Sequence, residues 1–148
     1  GKVGYGGDFG PTSGVADSFF VLDGILFPDR TPHPTYFEMQ YLQQPVEITA
    51  EGGKVIFRNR QSFVGLETLD VCWRSYDAQG ELLKVATTPA PTIAPGAAGE
   101  AAHPLGQPVW LEVELRLRAA TPWAPAGFAV ATQRLLLGEA PRAAAPAG

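Results

Sequence analysis

Fifteen side-chain carboxylates, two imidazoles and one thiol are the groups of this chain that could do chemistry, and their spacing limits what that chemistry could be. Cys72 is the only cysteine, so neither an intrachain disulfide nor a cysteine-based zinc site can form. It stands between Val71 and Trp73, which reads as a half-buried, inert thiol. His33 is held between Pro32 and Pro34, and neither it nor His103 has a second imidazole or matched carboxylate at metal-binding spacing. Both read as structural residues. Asp8, beside Gly7, reads as a turn former, and Asp29-Arg30 as an exposed ion pair contributing ~0 to 1 kcal/mol. No Ser-His-Asp order with a nucleophile elbow occurs, nor a phosphate-binding glycine loop, so an independent enzyme has little support. Trp73 and Trp110 fall in strand patterns and are expected to pack in a core, whereas Trp123 falls in a loop, where packing and sugar stacking both stay open.

The elements that would position these groups change texture near Pro45. Before it, Gly6-Gly7-Asp8-Phe9-Gly10 and Pro28-Asp29-Arg30-Thr31-Pro32-His33-Pro34 have neither a helical nor a strand period. Such an arm cannot bury its own aromatic side chains and is expected to lie against a neighbouring scaffold. Only Pro34–Gln44 is helix-compatible, with Pro34 suited to the first turn. After Pro45, Val46–Thr49 and Lys54–Arg58 flank Gly52-Gly53 as a hairpin, and Leu69–Tyr76 and Glu81–Val85 flank Asp77–Gly80 as a second. Thr87–Gly99 reads as a loop. Trp110–Arg118 alternates with a period of two, setting Leu111, Val113, Leu115 and Leu117 on one face, and Phe128–Leu137 supplies a last strand. The fold class expected is mainly β, an immunoglobulin-like β-sandwich of about seven strands preceded by an irregular arm with a short helix. An eight-stranded barrel needs more strands than can be counted. Residues 140–148 read as a frayed Pro/Ala tail.

The chain has 148 residues, enough for one ordinary domain with an arm, and its 45% apolar and 18% charged content is globular. A net charge of −4 without a clustered basic run disfavours nucleic acid. No apolar stretch of roughly eighteen residues occurs, so no membrane span is expected. Gly1-Lys2-Val3-Gly4 lacks the pattern of a secretion signal.

Tyr5-Gly6-Gly7-Asp8-Phe9-Gly10, Asp17, Phe20, Asp23-Gly24, Pro28 to Pro34, Glu38 and Gln44-Pro45-Val46, in that order and spacing, resemble family 2 glycoside hydrolases of the β-galactosidase type. Ala94-Pro95-Gly96, Trp123-Ala124-Pro125-Ala126-Gly127 and Gln133 more faintly resemble the family's fourth, immunoglobulin-like domain. The resemblance implies that residues 1–44 are the C-terminal segment of a (β/α)8 or TIM barrel, residues 45–139 the sandwich and 140–148 a flexible tail. It implies retaining hydrolysis of terminal β-D-galactosides by the whole enzyme, which needs two carboxyl groups about 5 to 5.5 Å apart. In the family both are glutamates on earlier barrel strands. None of the glutamates here, from Glu38 to Glu139, sits in a matching motif, so no catalytic residue is assigned and the chain alone is not expected to hydrolyse anything.

What the resemblance carries over is accessory. Phe20 matches an aromatic lining the galactose pocket whose carbonyl binds sodium, and Asp23 matches a side-chain ligand of the same ion. Such oxygen ligands suit a hard cation. The other sodium ligands, and those of the family's magnesium, come from elsewhere, so the sodium site would be incomplete here. The implied partners are the remainder of a β-galactosidase chain and its β-galactoside substrate, in the cytoplasm. Departures from the family pattern are a longer Pro11–Ala16 segment, Gln40 where a basic residue is common and Phe128 where a His is frequent. The alternative is a stand-alone sandwich module, carbohydrate-binding or purely structural.

Overall fold

The structure, a computed structural model, describes residues 24–139. They belong to two compact units divided between Gln43 and Gln44. In the first, helix α1 spans Pro34–Leu42, with Pro34 in its first turn, where a missing N–H costs nothing. The sequence pattern extends this helix to Gln44, two residues too far. Gln44 precedes Pro45, whose ring disfavours helical backbone at the preceding residue.

Among the described residues the second unit holds seven strands: β1 (Val46–Glu51), β2 (Lys54–Asn59), β3 (Leu69–Tyr76), β4 (Leu82–Pro89), β5 (Ala98–Ala101), β6 (Trp110–Leu117) and β7 (Ala129–Leu136). They form a three-stranded sheet in the order β1-β2-β5 and a four-stranded sheet in the order β4-β3-β6-β7, with every pairing antiparallel. Gly52 and Gly53 both adopt positive φ (58° and 78°), the backbone that a two-residue hairpin between β1 and β2 demands. The inner faces of the sheets supply one core containing Val46, Val55, Phe57, Val71, Trp73, Leu111, Val113 and Leu115. Trp73 is its largest member. Its ring meets Phe57 edge-on, with centroids 6.1 Å apart, and its indole N–H donates to Thr88 Oγ1 at 2.9 Å. A buried tryptophan on the third strand is a hallmark of immunoglobulin sandwiches, where it packs on an intersheet disulfide. Here an aromatic ring occupies that neighbourhood.

Two expectations are corrected by the register. Trp110 is not a core residue: it shares the outer face with Glu112 and Glu114, opposite Leu111 and Val113, because side chains alternate strictly along β6. The segment Thr87–Gly99 is not all loop. β-branched Thr87 and Thr88 continue β4, and Ala98–Ala101 forms a short strand against β2. Gly99 is required there by close approach, since a Cβ at this position would lie 2.9 Å from Cδ1 and Cγ1 of Ile93.

Candidate functional site

Phe20 and Asp23, the two residues assigned to a sugar pocket and a sodium ion, lie outside the described residues, as do Asp8 and Asp17. The unit that follows them begins as a tight loop. Leu26 bridges to Pro32, the Phe27 N–H donates to the Thr31 carbonyl at 2.9 Å, and the Arg30 N–H donates to the Phe27 carbonyl at 2.8 Å. Asp29 accepts from the Thr31 N–H at 2.9 Å and from its hydroxyl at 2.6 Å, and these two bonds lower the Asp29 pKa. The expected ion pair with Arg30 does not form. Arg30 sits at φ 68°, in the left-handed region, while the carboxylate is held by Thr31 two residues on. His33 caps α1: its Nδ1 accepts weakly from the Thr35 N–H at 3.5 Å and lies 3.1 Å from Thr35 Oγ1. Its ring also meets Phe27 at a centroid distance of 5.1 Å. The structural role read from the sequence is the one His33 plays.

Helix α1 buries none of its nine residues, although Tyr36, Phe37, Met39, Tyr41 and Leu42 lie on it. Phe37 is 59% and Leu42 66% exposed, and Ile25, Leu26 and Phe27 in the preceding loop are exposed too. Exposed apolar side chains gathered on one surface are characteristic of faces that other bodies cover.

On the sandwich, the outer face of the four-stranded sheet carries a ladder of alternating charge. Arg74 on β3 bonds Glu112 Oε1 at 2.8 Å and Glu114 Oε1 at 3.0 Å. Arg116 grips the other oxygen of Glu114, Arg134 reaches Glu112 Oε2 at 3.2 Å, and Arg118 meets Asp70 at 2.9 Å. The guanidinium of Arg134 also lies 4.9 Å from the centre of the Tyr76 ring. Hydrogen bonding to Glu114, chiefly, holds the Arg74 proton more tightly than usual. For Glu114 burial opposes ionisation, but the bonds from Arg74 and Arg116 outweigh it and lower its pKa. Cys72 is buried on this same face, so the thiol is more enclosed than the half-burial its neighbours suggest. Pairing of Arg116 and Arg118 fits the wet strand face that their period of two implies, whereas the span from Arg74 to Glu112 needs strand register that composition alone does not give.

One pole of the sandwich collects the loops 60–68, 90–97 and 118–128, together with the start of β1. Buried Asn59 ties two of them together: its Nδ2 donates to the Val64 carbonyl at 2.8 Å and, at 3.3 Å, to the carbonyls of Ile93 and Ala94. Phe63 and Trp123 project from this pole, Trp123 being 66% exposed with one edge contact to Phe128 at 5.7 Å. At the opposite pole a cleft of ≈ 520 Å³ is lined by Gly53, His103, Gln107, Val109 and Leu137, among others. His103 turns a buried Nδ1 with no hydrogen-bond partner into the protein, and burial lowers its pKa. Among the described residues no group of three or more His, Cys, Asp or Glu side chains could hold a metal, and no helix is long and apolar enough to cross a membrane.

Seven strands in this order, with a tryptophan at the centre of the third, define an immunoglobulin-like β-sandwich. The chain belongs to the family 2 glycoside hydrolases of the β-galactosidase type. Residues 55–138 match the family described as β-galactosidase, domain 4, and residues 2–48 match the TIM barrel domain of glycosyl hydrolases family 2. A β-galactosidase of Vibrio cholerae serotype O1 is 33% identical over 137 residues, covering 90% of this chain and 13% of the relative. One of Aeromonas hydrophila is 32% identical over 151 residues, covering 90% of this chain and 14% of the relative. A protein of Enterobacter cloacae named β-galactosidase 2 is 35% identical over 138 residues, covering 88% and 13%. The chain therefore spans only 13–14% of the length of these curated relatives.

Proposed function

We propose that this chain works as one part of a β-galactosidase. Residues 1–44 close the catalytic barrel and residues 45–139 form a bracing sandwich. The whole enzyme hydrolyses terminal β-D-galactosides with retention, using two glutamates that this chain does not contain, in the cytoplasm and with the family's magnesium bound elsewhere. The chain's own role is architectural, with Phe20 facing the sugar and the Phe20 carbonyl and Asp23 carboxylate offering two oxygen ligands to a sodium ion. The observation that carries this reading is helix α1, which buries none of its residues and leaves Phe37, Tyr41 and Leu42 exposed in a segment matching the TIM barrel domain. Fully burying each large apolar side chain is worth about 1.5–3 kcal/mol. A barrel wall is the cover they fit.

The test is complementation. The chain is mixed with the remainder of a β-galactosidase polypeptide, and turnover of a nitrophenyl β-galactoside is followed. Activity is expected only with both pieces present, and no gain over the remainder alone would overturn the reading. The exposure of Trp123 favours a second reading, a stand-alone carbohydrate-binding sandwich. Saturable binding of a β-galactoside to the isolated chain by calorimetry, lost in Trp123→Ala, would favour it.

A further inference from the structure

The pole of the sandwich that Asn59 braces presents two aromatic side chains on loops that are held in place. Beyond the Asn59 bonds, loop 60–68 is tied near both ends: the Arg60 N–H donates to the Pro45 carbonyl at 2.8 Å, and the Leu66 N–H donates to the Ile93 carbonyl at 3.1 Å. Leu66 is fully buried, while Phe63, between the two ties, is 93% exposed. In loop 118–128 the Thr121 N–H donates to the Ala124 carbonyl at 2.8 Å, and Thr121 Oγ1 accepts from the Ala124 N–H at 3.1 Å. Ala124 is buried and its neighbour Trp123 stands outward, edge-on to Phe128. Large aromatic side chains on pre-ordered loops lose little freedom on binding, which is the character of an interface anchor. Val64 and Phe128, both exposed, extend the apolar surface beside the two rings. Such a composition suits a protein wall better than the hydroxyl groups of a sugar.

We propose that Phe63 and Trp123 are the anchors that seat the sandwich on the catalytic barrel of the parent enzyme, in the part of that barrel this chain does not include. The inference rests on the reading that the chain works within a β-galactosidase. The way the chain enters the sandwich selects the occupant. The match to the TIM barrel domain runs to residue 48, past the start of β1 at Val46, so the barrel's sequence passes straight into the first strand. β1 starts at the same pole as Phe63 and Trp123, since Val46 pairs with Asn59, the last residue of β2. The Arg60–Pro45 bond ties the loop that carries Phe63 to that entry point. At the opposite pole the exposed apolar side chains are the aliphatic Leu82, Leu83 and Leu136, which lie a strand's length from the junction.

To test the anchors, the 148-residue chain is titrated into a fixed amount of the remainder of a β-galactosidase polypeptide, and the concentration that restores half of the recovered turnover is read. Phe63→Ser and Trp123→Ser, both at exposed positions, are each expected to raise that concentration about tenfold while leaving circular dichroism unchanged. Leu82→Ser, at the opposite pole and also exposed, is expected to match the wild type. In a second measurement a photoreactive benzophenone side chain replaces Phe63, the mixture is irradiated, and the cross-linked peptides are identified by mass spectrometry. They are expected to come from the barrel portion of the remainder. Recovered turnover that neither substitution shifts, an equal shift in Leu82→Ser, or cross-links only to a second copy or to another part of the remainder overturns the anchors and leaves the β-galactosidase reading standing. Saturable β-galactoside binding by the isolated chain that Trp123→Ser abolishes overturns them as well. No recovery with the wild type overturns both.

Discussion

At His103 the sequence shows an unremarkable loop imidazole, and only the fold makes it unusual. The side chain lies in the connection between β5 and β6, its ring 6.3 Å from that of Trp73, and Nδ1 is sealed from water without an acceptor or donor. Protonating it in place would bury a charge with nothing to balance it, which is why burial lowers its pKa from the ordinary 6.5. The unfolded chain then binds the proton more readily than the folded one, so this group leaves stability untouched above about pH 6.5 and subtracts from it as the pH falls below that value, until the folded-state pKa is passed. The melting temperature of the wild type is therefore expected to drop between pH 7.5 and 5 by more than that of His103→Leu. Parallel profiles for the two proteins would show that the imidazole titrates in the folded state as freely as in the unfolded one.

At the scale of the element, β5 shows how a misleading composition arises. Ala98-Gly99-Glu100-Ala101 has almost no β propensity, yet it holds the edge of the smaller sheet because Gly99 lets the backbone approach Ile93, itself buried against Leu66 and the rest of the core. Gly99→Ala is expected to destabilise the sandwich by about 1–3 kcal/mol, since a methyl group there cannot be admitted without displacing a core side chain. Urea unfolding of the two proteins measures it, and an unchanged midpoint would mean that Ile93 yields freely. The hairpins around Gly52-Gly53 and Asp77–Gly80, and the period of two in β6, were legible because turn chemistry and alternation are local signals. β5 and the outward side of Trp110 were not, because each depends on what lies across a sheet. The Arg74–Glu112–Arg134 ladder was hidden for the same reason: its members come from three strands, and only their order in the sheet makes them neighbours.

For the whole molecule, the described residues on the two sides of Gln44 differ sharply in how much they bury. The sandwich has a continuous core, whereas α1 and the loop before it bury no apolar side chain. Brief chymotrypsin treatment is expected to cut at Tyr36, Phe37, Tyr41 or Leu42 and to leave a resistant product beginning close to Gln44. Survival of the helix under conditions that leave the sandwich intact would contradict it. The strands also fix where load enters and leaves the sandwich. β1 starts at the pole of the Asn59 brace and runs toward the other, β7 runs the same way beside it, and the chain leaves from the far end. A pull applied at Gln44 and at Glu139 is thus directed along these two strands rather than across them. Backbone hydrogen bonds to β2 and β6 are then sheared together instead of peeled one by one, which makes the sandwich a mechanical tie rather than a hinge.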